Sequence, residues 1–215
     1  MGKLASFGCL FVALCLFVST GNLQAETRAA TAASYVELGD KFAKQEDFAR
    51  AIGAYNIALE FAPDFAPAYF KRGSVRQARG DFSDAIADYN KCLEIVPQWT
   101  EAFYNRGNVL LQEGDIEAAL ADFDKALQSD PNYDMAYNNR GIARLGRGDL
   151  EGAMADFNQA IKINSHHPEA YLNRGLIQLL QGRRADAERD FARSIALKPS
   201  VRTFIEKRTG EIVQK

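Results

Sequence analysis

The sequence repeats itself every 34 residues. Ala68-Tyr69-Phe70-Lys71-Arg72-Gly73 returns as Ala102-Phe103-Tyr104-Asn105-Arg106-Gly107. It returns again as Ala136-Tyr137-Asn138-Asn139-Arg140-Gly141 and as Ala170-Tyr171-Leu172-Asn173-Arg174-Gly175. A fixed period of this length marks stacked supersecondary units, each too small to bury its apolar face without its neighbours. The stack is therefore expected to be elongated, with contacts mainly between adjacent units. What it offers is a surface for holding other molecules rather than a closed catalytic cleft.

Five units fit the period: 32–65, 66–99, 100–133, 134–167 and 168–201. Each reads as helix A, a short turn and helix B, because apolar and small residues recur at helical spacing in both halves. Between the halves stand Gly80-Asp81, Gly114-Asp115, Gly148-Asp149 and Gly182-Arg183, with Glu46-Asp47 in the first unit. Gly suits the left-handed backbone that ends helix A, and Asp suits the cap of helix B. Pro63, Pro97, Pro131 and Pro199 end helix B or the turn after it, whereas the fourth unit has Ser165. Gly39, Gly73, Gly107, Gly141 and Gly175 fall inside helix A, and Ala51, Ala85, Ala119, Ala153 and Ala187 inside helix B. The expectation is that these two small series meet, with Tyr55, Tyr89, Phe123, Phe157 and Phe191 filling the space between hairpins.

This pattern of small and aromatic places resembles the tetratricopeptide repeat (TPR) over 32–201. The resemblance implies an all-α fold: a right-handed superhelical solenoid of five TPR helical hairpins plus a C-terminal capping helix at 202–215. The cap has Phe204, Ile205, Ile212 and Val213 on one possible apolar face. One departure is useful. Where the common TPR pattern has leucine before the helix A glycine, this chain has Arg72, Arg106, Arg140 and Arg174. Helix B answers with Asp88, Asp122, Asp156 and Asp190, while the first unit has Leu38 and Ala54 and so lacks both charges. Pairing within each repeat explains that joint loss.

The N-terminus differs in kind. Lys3 leads an apolar run over 4–18, followed by small and polar residues ending Leu23-Gln24-Ala25. This three-part layout is that of a secretory signal at 1–25, with a cut after Gly21 as the second candidate. The run is short for a spanning helix, which needs about 20 residues. A membrane therefore enters only if the segment stays uncleaved. Residues 26–31 read as an N-terminal linker. The expected location is outside the inner membrane, in the periplasm. Cys9 and Cys15 fall in the signal, which leaves Cys92 as a lone cysteine at a place that suits a small buried side chain.

Composition narrows the function. The formal net charge is -2, and the basic residues are interspersed with acidic ones, so nucleic acid is not an expected partner. His166 and His167 diverge in direction and are expected in an exposed turn, so no metal site is expected. No catalytic constellation and no cofactor motif stands out, so the chain reads as a non-enzyme without a cofactor.

A partner is expected on the A helices, which line the inner face of such a stack. Steps of three and four residues place Tyr104, Asn108 and Leu111 on that side in the third unit. Asn138, Ile142 and Leu145 follow in the fourth, and Leu172, Leu176 and Leu179 in the fifth. Beside them run Asn105, Asn139 and Asn173, which resemble the asparagine ladder of peptide-binding TPR proteins. That resemblance implies amide contacts to an extended peptide. It stops in the first two units, which have Glu37 and Lys71. The clamp that grips a C-terminal carboxylate is absent, since Val36 with Asp40 and Phe70 with Ser74 hold its leading places. The expected function is a protein–protein interaction adaptor that takes a peptide segment or protein surface in this groove. The alternative is a self-assembling structural protein that uses the same groove, or an end repeat, to form a homo-oligomer.

Overall fold

The computed structural model describes the backbone of residues 5–213 and the side chains of residues 24–210. Among the described residues there are eleven α-helices and no strand. In order they are α1 (Ala5–Lys44), α2 (Phe48–Phe61), α3 (Ala66–Arg79), α4 (Phe82–Ile95), α5 (Thr100–Gln112), α6 (Ile116–Ser129), α7 (Asp134–Gly146), α8 (Leu150–Ile163), α9 (Pro168–Leu180), α10 (Arg184–Leu197) and α11 (Arg202–Val213). A 3-10 turn, Pro199–Val201, joins the last two. The chain divides into two compact units, Met1–Pro97 and Gln98–Lys215.

Each unit is built of antiparallel hairpins. In the first, α1 pairs with α2 and α3 with α4, and α2 packs on α3. In the second, the hairpins are α5–α6, α7–α8 and α9–α10. There α6 packs on α7 and α8 on α9, and α7 touches both α5 and α9. The hairpin turns follow the expected local rules. Gly80 (φ 90°) and Gly148 (φ 85°) take the left-handed conformation that ends helix A, and Glu46 takes it in the first hairpin at φ 59°. Asp47, Asp115 and Asp149 then cap helix B by accepting from the backbone N–H of Arg50, Ala118 and Gly152. Asp81 instead accepts from the Arg79 guanidinium, and Arg183 offers no carboxylate at that place.

The inner packing corrects one expectation. The glycines meet the aromatic series, not the alanines: a Cβ on Gly141 would lie 2.6 Å from the Phe157 ring. Tyr55, Tyr89, Phe123 and Phe157 are at most 1% exposed. Each ring crosses its own hairpin, so nothing larger than hydrogen fits on the facing helix. The alanines, one turn away on helix B, face the next hairpin. Ala119 and Phe123 pack with Ala143, and Ala153 and Phe157 pack with Ile177. Burial of one such ring stabilises by about 1.5–3 kcal/mol, which offsets the roughly 1 kcal/mol helix penalty of the glycine.

Residues 26–31, expected as a linker, are helical, because α1 runs through them without a break. The stretch Glu26-Thr27-Arg28-Ala29-Ala30-Thr31 has no Pro or Gly to stop it. The side chains of the expected signal up to Leu23 lie outside the described residues. Among the described residues no helix is long and apolar enough to cross a membrane. At the other end, α11 stands one 34-residue step after α9, with Ile205 at the place of Tyr171. Ile205 is buried with Leu172, Ala187 and Phe191. Phe204, expected on the same apolar face, is 45% exposed because its neighbour Ile205 takes the inward position. The side chains of Ile212 and Val213 lie outside the described residues.

Candidate functional site

In the second unit, the A helices α5, α7 and α9 join four of the expected asparagines into one chain of amides. Asn173 Nδ2 donates to Asn138 Oδ1 at 3.0 Å. Asn138 Nδ2 donates to Asn139 Oδ1 at 2.9 Å. Asn139 Nδ2 donates to Asn108 Oδ1 at 2.7 Å and to the Tyr104 hydroxyl at 3.1 Å. The link skips a place in the fifth repeat for a simple reason. Asn139 reaches Asn108, but the residue equivalent to Asn108 in the next repeat is Ile142, which accepts nothing, so Asn173 turns to Asn138. Asn138 is 4% exposed, and a buried amide of this kind must be bonded. Asn105 is half-buried on the same face.

The apolar part of the expected groove is mostly core. Leu111 packs against Ala119, Leu120, Phe123 and Ala143. Leu145 packs against Ala153, Phe157 and Ile177. Leu172 is buried, and Leu176 and Leu179 pack with it against Ile205 of α11. The chain's own last helix thus covers the share of the groove assigned to the fifth repeat. Tyr104 is half-buried, with its ring 4.9 Å from that of Tyr133. Only Ile142, at 38%, is an exposed apolar residue among those expected to line the face. Two others were missed: Met135 at 45% and Leu180 at 60%. Both lie on the same helical stripe. Met135, Asn138, Ile142 and Leu145 follow in steps of three, four and three, and Leu180 is four places after Leu176. Met135 is one turn before Asn138, and Leu180 is the four-residue step from Leu176 where the expected stripe takes the three-residue step to Leu179.

The first unit fills the equivalent face with charge. Asp40 accepts from the Tyr55 hydroxyl at 2.7 Å and from Lys71 Nζ at 3.0 Å. Lys71 holds the place of Asn139, and Asp40 that of Asn108, so the same link is ionic here and amide there. Burial, and secondarily its bond to the Asp40 carboxylate, push the Tyr55 phenol above its usual value. The Tyr89 hydroxyl stands 2.8 Å from Gln77 Oε1 and 3.3 Å from Ser74 Oγ.

The arginine–aspartate pairs form as expected. Arg72–Asp88 and Arg106–Asp122 close to 2.6 Å, and Arg140–Asp156 and Arg174–Asp190 to 2.7 Å. The aspartates are buried. The repeat letters did not reveal the third partner. Arg72, Arg140 and Arg174 also donate from Nη1 to Asn56, Asp124 and Asn158 on helix B of the preceding hairpin. Each such arginine ties two hairpins together and lies over the aromatic three places before it, Tyr69, Tyr137 or Tyr171. Burial alone would lower the Arg140 guanidinium, but its bonds to Asp156 and Asp124 carry it above the ordinary value. Asp88 and Asp156 each hold a second arginine, Arg76 and Arg144.

Two single residues complete the account. Cys92 is fully buried, and burial pushes its thiol up to about 12. His167, expected in an exposed turn, is 8% exposed and its Nδ1 lies 3.4 Å from Glu169. It occupies the place that Phe65, Trp99 and Tyr133 hold in earlier repeats, where an aromatic precedes helix A. His166 is exposed.

Comparison with known proteins agrees with this architecture. The sequence model of the tetratricopeptide repeat matches residues 36–99, 64–134, 104–168 and 138–201. The chain belongs to the tetratricopeptide repeat family, a class of stacked helical hairpins that binds proteins and peptides and is typically non-catalytic. Among solved structures, MamA is similar at 25% identity, covering 81% of this chain and 95% of MamA with a TM-score of 0.69. PilF of Pseudomonas aeruginosa shares the fold at 20% identity, covering 86% of this chain and 90% of PilF, with a TM-score of 0.72. YrrB, a TPR protein with an unusual peptide-binding site, shares it at 23% identity, covering 77% and 85%, with a TM-score of 0.64. No curated protein matches the sequence.

Proposed function

We propose that this protein is a secreted, periplasmic and non-catalytic adaptor that binds an extended segment or surface of another protein on the A-helix face of its second unit. The observation that supports this reading is the grouping of Met135, Ile142 and Leu180 on that face beside the chain of asparagine amides. Exposed apolar residues grouped on one face mark interaction sites. Secretion is supported by the basic lead, the apolar run and the small residues ending at Ala25.

The experiment compares capture from envelope extract by the mature chain and by its Ile142→Glu variant. The variant is expected to lose the partner while its helical circular dichroism stays unchanged. Equal capture by both chains removes this face from the function. N-terminal sequencing of the exported protein is expected to begin at Glu26.

Self-assembly through the first repeat is opposed by Lys41. The equivalent place holds buried Val75, Val109, Ala143 and Ile177 in later repeats, whereas Lys41 is exposed and charged. A charge there keeps another hairpin from stacking on α1. Light scattering on the mature chain is expected to give a monomer.

A further inference from the structure

We propose that the fifth hairpin carries a separate small-molecule site, a cleft between α10 and α11 that takes a free, single-chain alkyl carboxylate. The site stands apart from the A-helix face and does not rest on the adaptor reading. The cleft has a volume of about 300 Å3 and a floor of Leu179, Ala187, Phe191, Ile195 and Ile205. Its cause lies in the repeat. At earlier junctions an aliphatic residue of helix A covers the ring of the preceding hairpin: Val75 packs with Tyr55, Ala143 with Phe123 and Ile177 with Phe157. The next place in that series is Glu211, whose side chain lies outside the described residues. A carboxylate fills an apolar floor only at a large desolvation cost. The backbone of α11 packs on α9 and on the 3-10 turn, but it does not close on α10 as α9 closes on α8. Phe191 therefore keeps 6% of its surface, whereas the four earlier rings keep at most 1%.

The rim is polar. Arg184 and Glu188 line the cleft where the fourth hairpin has Leu150 and Met154. They pair at 3.3 Å with both side chains 67% exposed, so the pair contributes little and Arg184 is free to turn to a ligand. From Arg183 to Lys215 nine Lys and Arg stand against five Asp and Glu, in a chain whose net charge is -2. That local excess attracts an anionic head. An apolar floor under a few polar groups is the composition of a small-ligand pocket. Size and polarity decide against a peptide. One turn of an α-helix, about 10 Å across and about 5.4 Å long, fills about 420 Å3. An extended peptide brings backbone N–H and C=O groups that this floor cannot bond. One alkyl chain with one carboxylate satisfies floor and rim together.

The test follows the methyl NMR signals of Ile195 and Ile205 in the mature chain as hexanoate, octanoate or decanoate is added. Decanoate is expected to shift both, with a Kd of roughly 0.1–1 mM. Each added methylene should tighten binding about fourfold. Decylammonium and decanol should bind at least about fivefold more weakly than decanoate, and Arg184→Gln should erase that preference. Ala192 is exposed at the edge of the cleft. Ala192→Phe should therefore fill the cleft and abolish the shifts at unchanged melting temperature.

Decanoate binding that survives Ala192→Phe, ignores chain length or is matched by decylammonium overturns the inference. So does the absence of a shift with every alkyl probe. Three other occupants have their own signatures, and each also overturns it. Sedimentation with phosphatidylglycerol vesicles that Ala192→Phe abolishes assigns the cleft to a bilayer. A dimer that the same variant dissociates assigns it to a second copy, and lost capture of an envelope protein assigns it to a partner. Ile142-dependent capture tests the adaptor reading separately and is expected to be unchanged by Ala192→Phe.

Discussion

The two units obey one packing grammar and present different faces. Glycine beneath an aromatic ring, a left-handed turn and a buried arginine–aspartate pair recur in both. On the A-helix face, however, the first unit places Asp40 against Lys71, while the second places Asn108 against Asn139. The difference teaches that the frame and the face are separable. Residues that set the distance between helices are held to a few types, whereas the places that join one A helix to the next change from ionic to amide chemistry.

The largest effect tests the common frame. Arg174→Ala leaves Asp190 buried with no second arginine, and a loss of about 3–5 kcal/mol is expected by chemical denaturation. Adding Asp190→Ala should restore part of it, and additive losses would refute the pairing. In the first unit Arg72→Ala should cost roughly half as much, because Asp88 keeps Arg76 at 2.7 Å. Equal losses would show that the second arginine contributes nothing.

The next effect separates the two faces. Asn139→Ala strands the buried Asn138 amide and should cost about 1–3 kcal/mol, independent of salt. Lys71→Ala breaks a pair whose side chains are 43% and 32% exposed, and should cost about 0–1 kcal/mol, vanishing at high salt. Salt dependence in the asparagine variant would show that the second face is not neutral in behaviour. The smallest effect concerns Cys92. The thiol titrates near 9.0 when unfolded and near 12 when folded, so the folded state holds its proton more tightly. Stability from this group is complete below pH 9 and falls as pH rises from 9 toward 12. Mass spectrometry of the Cys92 peptide after alkylation at pH 8 should show no label until denaturant is added.

Much of the frame was legible because its signals are local or occur at a fixed separation. Arg72 and Asp88, Arg106 and Asp122, Arg140 and Asp156, and Arg174 and Asp190 recur together, and Leu38 and Ala54 lose both charges at once. Such joint loss identifies a contact without coordinates. The candidate face was less legible. Leu145 and Leu179 read as exposed lining because a helical stripe says which side a residue occupies but not how far the next hairpin slides over it. Ile177 closes over Leu145, and Ile205 closes over the cluster that holds Leu179. Met135 lies one turn before the expected stripe of the fourth repeat, and Leu180 lies beside Leu179 at the edge of that of the fifth. His167 read as a turn residue, although it stands where Phe65, Trp99 and Tyr133 are half-buried in earlier repeats.

By itself the sequence determined the period, the hairpin, its turns and its charge pairs, since each depends on residue types at short or repeated intervals. Only the tertiary structure decided which apolar side chains remain open and how the asparagines are joined. Those outcomes depend on the separation of neighbouring A helices, a few ångströms set jointly by all the side chains packed between them.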